Sequence, residues 1–408
     1  MRKIIKDVRI NTMSDKVYEF PSDFTWGTAT SAYQIEGGNY NTDWWLWENS
    51  KENRGKIEPC GIACDSYNRY EEDFDLCVKN YNNAVRISIE WARLEPEEGK
   101  FSKREFDHYR NVLQAAKDRN LKTFVTLHHF TNPIWFSKKG GWHGLKASTY
   151  FARYAERCAV ELGDLCDVIL TINEPQVLAL MAYVRGEWPP NKKSLFLSLV
   201  VQINFMLAHS KAYTAIKLVK DVEVGLVKHM VWYEPSPLSH FFLDKIVARF
   251  IYWLNDGFFI EPIRHKIDVL GLNYYFTNRF KNLKIKNPDA YVSDLNWWIN
   301  PEGLQNILLD LKKYGLPIYI TENGIADAHD RVRPDIIREM LIACARAMEK
   351  EAPLKGYFHW SLIDNYEWNK GYWPRFGLVN IDRSHNLKRI PRKSFYYYGN
   401  ICKTGKVS

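Results

Sequence analysis

The sequence lacks the patterns that mark disulfide-rich, zinc-binding and secreted chains. Its 7 cysteines are an odd number in 408 residues, and they form neither a CxxC pair nor a zinc spacing. No signal-peptide pattern occupies residues 1–20, so we expect reduced thiols and a cytoplasmic protein. We also predict no bound metal ion and no cofactor.

Long apolar runs are also missing. The most apolar stretch, residues 195–207, is interrupted by Ser198, Gln202 and Asn204. A helix needs about 20 apolar residues to cross a bilayer, and this stretch is shorter. The sequence therefore predicts no membrane partner.

The charge pattern gives no sign of a nucleic-acid partner. The net charge is +8, from 56 basic and 48 acidic residues, and it is spread along the chain without a Lys/Arg block. We therefore expect no nucleic-acid partner. Aromatic residues are plentiful at 15%, with 15 Trp and 24 Tyr. Their flat apolar faces suit sugar rings or aromatic ligands, although they also serve as ordinary core residues.

The chain has no Gly/Ser-rich linker. Short apolar runs, typical of buried strands, alternate along the chain with segments whose apolar residues have helical spacing. This alternation predicts a parallel sheet, and eight repeats predict one (β/α)₈ TIM barrel of class α/β. A doubly wound sheet would place a GxGxxG or GxxxxGK[ST] turn after its first strand, and neither is present. We predict a loosely ordered tail over 1–18 and a single catalytic domain over 19–408. The predicted strands are 24–30, 84–89, 121–127, 167–171, 222–227, 267–272, 317–323 and 356–359. The predicted helices are 65–80, 102–119, 148–162, 198–219, 244–259, 301–314, 334–350 and 392–402.

Two of the predicted strands end in a glutamate. The apolar run from Pro317 leads to Glu322, and the run from Asp167 leads to Glu174. Because the carboxyl ends of barrel strands meet at one mouth, we expect the two carboxyl groups to face one substrate bond. Cleavage of a glycosidic bond needs such a pair, since one group protonates the leaving oxygen while the other attacks carbon or activates water. The alternative is two structural ion pairs.

The neighbours of the two glutamates predict different protonation states. Arg86, in the second strand, and Tyr275, after the sixth, can converge on Glu322 and keep it ionised. Glu174 precedes Pro175 and would lie near the negative charge of Glu322, so its proton would be held to higher pH.

The chain resembles family 1 glycoside hydrolases, the retaining β-glucosidases, β-galactosidases and related enzymes. The matching segments occur in family order from residue 20 to near the end. They are FPSDFTWGTATSAYQIEG at 20–37, RISIEWARLEP at 86–96, TLHHFTNP at 126–133, TINEP at 171–175, GLNYY at 271–275, YITENG at 319–324, HWSLIDNYEW at 359–368 and RFGLVNID at 375–382.

The resemblance assigns a role to each matching position. It implies that Glu322 is the nucleophile and Glu174 the acid/base, with Arg86 and Tyr275 supporting the nucleophile. The implied substrate-binding residues are Gln34, His129, Phe130, Asn173, Asn273, Trp360, Glu367 and Trp368. Phe130 departs from the usual Trp, and the chain is shortened mainly between 231 and 267, which leaves the leaving-group preference open.

His128, His129 and His143 could be read as a metal cluster. In this context we interpret His129 as a sugar ligand and the other two as structural residues.

The resemblance implies an exo-acting retaining β-glucosidase that also takes β-galactosides and β-fucosides. Relatives that use 6-phosphosugars replace the Glu of the EW pair and add a Lys and a Tyr. Glu367 is present here, so we expect unphosphorylated small β-glycosides or short oligosaccharides as substrates. A catalytically inactive sugar-binding relative and a transglycosylase are the alternative functions, and the sequence leaves the oligomeric state open.

Overall fold

Eight parallel strands close into a barrel in the computed structural model, which describes residues 16–237, 239, 241–288 and 292–408. Neighbouring strands in the chain are neighbours in the barrel, and the last strand pairs with the first. The predicted (β/α)₈ barrel is confirmed. The strands are β1 (Thr25–Ala29), β2 (Ala84–Ser88), β3 (Lys122–His128), β4 (Val168–Asn173), β5 (Glu223–His229), β6 (Val269–Asn273), β7 (Ile318–Asn323) and β8 (Leu354–Trp360).

One long helix follows each strand on the outside of the barrel. The eight helices match the predicted ones to within a few residues, with the exception described below. They are α1 (Ser66–Lys79), α2 (Lys103–Asp118), α3 (Ala147–Leu162), α4 (Leu195–Val219), α5 (Leu243–Asn255), α6 (Pro301–Leu311), α7 (Arg333–Glu349) and α8 (Lys393–Thr404).

The strands are continuous apolar runs because both of their faces are buried. Every residue of β1, β2, β4 and β6 is buried. The barrel interior is filled by residues such as Phe124, Val168 and Phe358. At Gly27 a Cβ atom would lie 2.5 Å from the Phe358 ring and 2.8 Å from the Ala84 carbonyl oxygen, so only glycine fits there.

The fifth long helix is shorter than predicted. The sequence pattern predicts one helix over 244–259, but the structure breaks it at Asp256 into α5 and a short helix, Gly257–Ile260. The Asp256 carboxylate is buried and accepts hydrogen bonds from Lys313 Nζ (2.5 Å) and Tyr314 Oη (3.1 Å). Partners distant in sequence therefore fix this break.

The two ends of the described chain are joined. Tyr18–Glu19 pairs antiparallel with Lys406–Val407, and both Tyr18 and Val407 are buried. Tyr18 thus belongs to the fold, although the sequence places it in the tail. Residues 1–15 of the predicted tail lie outside the described residues.

Helix α4 begins earlier than predicted, because the Ser194 hydroxyl accepts a hydrogen bond from the Leu197 amide and caps it. At 25 residues α4 is long and apolar enough to cross a bilayer, which for a single helix is weak evidence. It packs against the barrel through residues such as Val201, Phe205 and Ala208, yet only 33% of its most apolar window is buried.

Short elements fill the loops around the barrel. Trp232–Pro235, Thr277–Lys281 and Lys284–Ile285 form a three-stranded sheet that continues from β5 and β6, and Val379–Asp382 pairs with Lys388–Pro391. The further short α-helices are Ala32–Ile35, Asp43–Glu48, Trp91–Leu94, Ile134–Lys138 and Pro175–Leu178. A π-helix spans Ala179–Arg185, and 3₁₀ turns span Gly141–His143, Glu261–Lys266, Lys312–Tyr314 and Trp368–Lys370.

Candidate active site

Glu322 lies at the mouth end of β7 with both carboxylate oxygens bonded. Arg86, from β2 across the barrel, donates from Nη1 to Oε1 at 2.5 Å, and Tyr275 donates from Oη to Oε2 at 2.6 Å. Arg86 is fully buried, so its charge acts on Glu322 with little solvent screening. Burial and the negative charge of Glu322 raise the pKa of Tyr275 well above its usual range, which keeps its hydroxyl a donor.

Glu174 follows β4 and has a different environment. Its backbone amide donates to the Val227 carbonyl at 2.9 Å, and its Oε1 accepts from Asn273 Nδ2 at 2.7 Å. Burial and the negative charge of Glu322 raise the pKa of Glu174 well above its usual range. Glu174 is therefore suited to hold a proton at neutral pH, whereas Glu322 is paired with a cation.

Asn173 connects the two glutamates and fixes the protonation of a histidine. Its Oδ1 accepts from Arg86 Nη2 (2.7 Å) and Asn273 Nδ2 (3.3 Å), so its Nδ2 must face His129 Nε2, 3.2 Å away. Since Nε2 then accepts, the proton of a neutral His129 is on Nδ1. Burial and the charge of Arg86 lower the pKa of His129 well below its usual range. Its Nδ1 is buried and has no hydrogen-bond partner among the described residues, so this N–H is a candidate donor to a sugar hydroxyl that enters the pocket.

Gln34 and Glu367 form a second polar group on the other side of the pocket. Gln34 Nε2 donates to the Tyr366 carbonyl at 2.7 Å and lies 3.5 Å from Glu367 Oε2, while its Oε1 accepts from Ser31. Burial and the negative charge of Glu322 raise the pKa of Glu367 to about 8. This carboxyl group exchanges its proton near neutral pH and can donate to, or accept from, sugar hydroxyls.

Aromatic rings surround these polar groups. The Trp368 ring centre lies 5.1 Å from that of Phe130, and the His129 ring stacks on Trp368 at 6.1 Å and on Trp360 at 6.0 Å. The Phe130 ring thus belongs to this group, and its role as a sugar contact stays a prediction. Further rings around Trp368 are those of Tyr33, Trp44 and Trp188.

Three site residues have left-handed backbone conformations. The φ angles are 74° at Phe130, 45° at Glu174 and 51° at Trp368. Such a conformation in a non-glycine residue costs about 1–3 kcal/mol and is held by the surrounding structure. Glu174 directly follows β4 and caps the short helix Pro175–Leu178, and Trp368 is the first residue of a 3₁₀ turn.

Several residues of the site were not singled out from the sequence. Thr126 accepts from Arg86 Nε at 3.2 Å, Thr321 donates to Asn273 Oδ1 at 2.7 Å, and Asn365 accepts from Gln34 at 3.1 Å. All three lie inside the family motifs, so the motifs could have identified them. Phe276 and Trp297 lie outside the motifs and extend the aromatic wall beside Tyr275, with Trp297 5.6 Å from the Tyr275 ring.

The histidines near the pocket have partners that are not metal ligands. His128 Nε2 lies 3.1 Å from Asn132 Oδ1, and His143 Nδ1 lies 3.4 Å from Tyr183 Oη. In the part of the chain that the structure describes, no three His, Cys, Asp or Glu side chains are grouped as a metal-ion site.

A buried glutamate pair at the mouth of a (β/α)₈ barrel, inside a cup of aromatic and amide side chains, defines the class of barrel glycoside hydrolases. Comparison with known sequences then gives the family. The profile of glycosyl hydrolase family 1 matches residues 16–265 and 258–407, and the chain belongs to this family.

The relatives agree with this assignment over almost the whole chain. A 1,4-β-D-glucan glucohydrolase of Thermotoga neapolitana is 32% identical and covers 96% of this chain and 99% of its own. A β-galactosidase of Pyrococcus woesei is 29% identical, covering 95% and 98%. The crystal structure of a β-glycosidase from Pyrococcus horikoshii matches with TM-score 0.89 and 35% identity, covering 96% and 97%. The chain is thus a retaining β-glycosidase that acts on carbohydrate substrates, with the mechanism implied by the family.

Proposed function

We propose that this enzyme removes single β-linked glucose units from the ends of small unphosphorylated β-glycosides or short oligosaccharides, with β-galactosides and β-fucosides as secondary substrates. The observation that carries the proposal is the contrast between the two glutamates. Glu322 is bonded to a buried guanidinium, and Glu174 is held in an apolar, negatively charged environment that retains a proton.

Each glutamate takes one role in a double displacement. Glu322 attacks the anomeric carbon and forms a glycosyl ester, while Glu174 gives its proton to the departing glycosidic oxygen. Glu174, now a carboxylate, takes a proton from water, which attacks the ester and releases the sugar. Asn173 Nδ2 has a second N–H beside the one facing His129, and this donor is available to the sugar 2-hydroxyl.

The closed end of the pocket supports exo-action on a neutral sugar. The rings of Trp44, Trp188 and Trp368 are buried and in mutual contact, which supports a pocket that is closed at this end. At the same end Glu367 offers a carboxyl group, which would repel the phosphate dianion of a 6-phosphosugar when it is ionised. The 1,4-β-D-glucan glucohydrolase and β-galactosidase relatives support the choice of sugars.

The aromatic residues beside Tyr275 favour an apolar or aromatic leaving group. Trp297 and Phe276 have ring centres 5.2 Å apart, and His229 lies 5.6 Å from Phe276. These half-buried rings adjoin Tyr275, and in this proposal they form the wall that an aromatic leaving group contacts.

The remaining expectations from the sequence stay part of this proposal. The seven free cysteines support a reducing, cytoplasmic location without a disulfide framework. The proposal includes no cofactor, no metal ion and no nucleic-acid partner. Since both glutamates are present, it favours catalysis over sugar binding alone. Transfer to an acceptor alcohol remains the second activity, and product analysis at high acceptor concentration measures its share.

Replacement of each glutamate tests the two roles. Glu322→Ala should abolish hydrolysis of an aryl β-glucoside, and azide should restore turnover with an α-glucosyl azide as product. Glu174→Ala should spare substrates with very good leaving groups, because these need little protonation, and azide should then give the β-azide. Product configuration by NMR is the measurement, and the opposite configurations would reverse the two assignments.

The choice of sugar has its own test. We expect kcat/KM for an aryl β-glucoside to exceed that for its 6-phosphate by at least about 100-fold, since a phosphate dianion would lose its hydration beside the buried Glu367 carboxyl group, which costs several kcal/mol. A preference for the phosphate would contradict the proposed substrate.

A further inference from the structure

Helix α4 exposes an apolar stripe to solvent. After the first two, which are adjacent, the exposed side chains are spaced three or four residues apart, as expected for one face of a helix. The opposite face, which includes Val201 and Phe205, is buried against the barrel. The stripe consists of Leu195 (76% exposed), Phe196 (73%), Leu199, Ile203 and Leu207.

Helix α5 carries a second stripe of the same kind. Phe242, Ile246, Phe250 and Trp253 are all exposed, again at helical spacing, while Asp244 and Ala248 on the other face are buried. A row of large exposed apolar side chains marks a surface that binds a membrane or another molecule.

The two stripes lie on consecutive long helices, of which α5 packs against the outer three-stranded sheet at Trp232–Pro235 and Thr277–Lys281. Helix α4 connects β4 to β5 and α5 connects β5 to β6, so the helices occupy adjacent sectors. His209 of α4 bonds the Lys266 carbonyl, in the segment that follows α5, at 2.7 Å. Gln176, in the short helix before α4, donates to the Asn255 carbonyl at the end of α5 at 3.0 Å. We call these two stripes with their flanking basic residues the α4–α5 face.

Basic residues predominate on this face, with the exposed Glu187 at its edge. No Asp or Glu occurs from 188 to 220, a range that contains five lysines. The acidic residue of α5, Asp244, is buried and accepts from the amides of Asn282 and Leu283. Four exposed basic side chains flank the stripes, and none has a carboxylate within ion-pair distance among the described residues. They are Lys192, Lys193, Lys245 and Arg249.

We propose that the α4–α5 face docks on an anionic lipid bilayer. Exposed Phe, Trp and Leu side chains would insert at the headgroup boundary, and the basic side chains would contact anionic headgroups, each contributing about 1 kcal/mol near such a surface. A second copy of the chain is a poorer occupant, because a two-fold contact would bring basic residues against basic residues. Helix α4 lies along the surface and does not cross it, because its inner face is committed to the barrel.

This inference goes beyond the proposed function and is independent of the active site. It also changes an expectation from the sequence. The absence of a bilayer-spanning run predicts no membrane partner, but docking from the side of a folded barrel needs no such run. Because α4 starts at the mouth side of the barrel, the exposed Leu195 and Phe196 lie at the rim nearest the active-site entrance.

Vesicle sedimentation tests the docking. Full-length enzyme is mixed with two kinds of vesicle, one of phosphatidylcholine alone and one that also contains roughly 30% phosphatidylserine. Both are measured at low and at high salt. We expect binding to the anionic vesicles only, reduced at least about fivefold at high salt because the charges are screened. Binding to neither vesicle, or equal binding to both, would overturn the proposal.

Two sets of variants locate the contact. The first is a triple variant that removes the side chains proposed to insert, namely Phe196→Ser, Phe242→Ser and Trp253→Ser. The second is a triple variant that reverses the basic charge, namely Lys192→Glu, Lys193→Glu and Lys245→Glu. Each should lower vesicle binding at least about tenfold while turnover of a soluble aryl β-glucoside is kept, which shows that the barrel is folded. Matched controls are Tyr396→Ser in α8 and Lys355→Glu at the start of β8, both exposed and in the eighth strand–helix unit. Equal binding by patch and control variants would refute the location. A dimer in analytical ultracentrifugation that the patch variants dissociate would replace the lipid with a second copy.

Discussion

At the scale of single residues, the charge beside each glutamate separates two chemically identical groups. Arg86 is held by Thr126, Asn173 and Glu322, so its guanidinium cannot turn toward Glu174. Glu174 instead receives a neutral amide from Asn273. The charge of Glu322 raises the pKa of Glu174, and this effect exists only while Glu322 is ionised.

The pKa of Glu174 should therefore change during the catalytic cycle. When Glu322 is esterified by a 2-deoxy-2-fluoro-β-glucoside, its negative charge is lost and the pKa of Glu174 should fall. The basic limb of the kcat/KM profile reports Glu174 in the free enzyme, and ¹³C NMR of labelled glutamate reports it in the trapped ester. Glu322→Gln serves as the control that removes the charge without a sugar. An unchanged pKa in both forms would show that Glu322 does not control it.

The tautomer of His129 leads to a second prediction. Asparagine places its amide nitrogen near the position of Nδ1, whereas glutamine places it near Nε2. His129→Ala should lower kcat/KM for a β-glucoside by about 10–100-fold, the equivalent of one lost hydrogen bond of about 1–3 kcal/mol. His129→Asn should retain more activity than His129→Gln. Equal losses in the two amide variants would indicate that Nδ1 is not the donor. His385→Asn, exposed and distant in sequence, is the control.

At the scale of elements, a buried lysine lies between β5 and the short helix Gly257–Ile260. Lys228 is fully buried, its Nζ has no hydrogen-bond partner among the described residues, and it lies over the Phe259 ring at 4.4 Å. Burial lowers the pKa of Lys228 well below its usual range, an effect that Asp256 and Glu174 only partly oppose. The lysine therefore costs stability at neutral pH.

Lys228→Met should stabilise the protein by about 1–3 kcal/mol at pH 7, because an unpaired buried amine is replaced by an apolar side chain of similar length. In the wild type the unfolded chain binds the proton more tightly, so stability should rise with pH between the folded and the unfolded pKa of this group. The advantage of the variant should thus shrink toward pH 10. Urea unfolding at both pH values measures it, with the exposed Lys355→Met as control. A destabilised variant at pH 7 would mean that the ammonium has a favourable role.

At the scale of the whole molecule, two strand pairs join the beginning of the chain to its end. β8 pairs with β1 in the barrel, and the strand at Tyr18–Glu19 pairs with Lys406–Val407 beneath it. The second pair ties the chain ends together and buries Val407 against the core. It lies away from the mouth, so it contributes to stability and not to catalysis.

Removal of residues 406–408 should lower the thermal midpoint by roughly 2–4 °C, because it exposes Tyr18 and deletes a buried valine worth about 1.5–3 kcal/mol. The kcat/KM at 25 °C should be unchanged. Differential scanning calorimetry gives the midpoint, and deletion of Ser408 alone, which is exposed, is the control. Identical midpoints for the two deletions would show that this strand pair is dispensable.

The sequence alone determined the barrel and the composition of its mouth. Buried parallel strands require continuous apolar runs, and the polar residues that end them, such as Glu174 and Glu322, are local in the chain and therefore readable. The break at Asp256 was missed because its cause is Lys313 and Tyr314, more than fifty residues away.

Only the tertiary structure decided how these residues are oriented and charged. Arg86 and Glu322 are 236 positions apart, and the amide of Asn173 is oriented by two donors from other strands. Likewise, the sequence of α4 is apolar on all sides, and only packing on the barrel distinguishes its buried face from its exposed one. Orientation, protonation and exposure depend on neighbours that folding brings together, whereas strand and helix positions depend on periodicity within each segment.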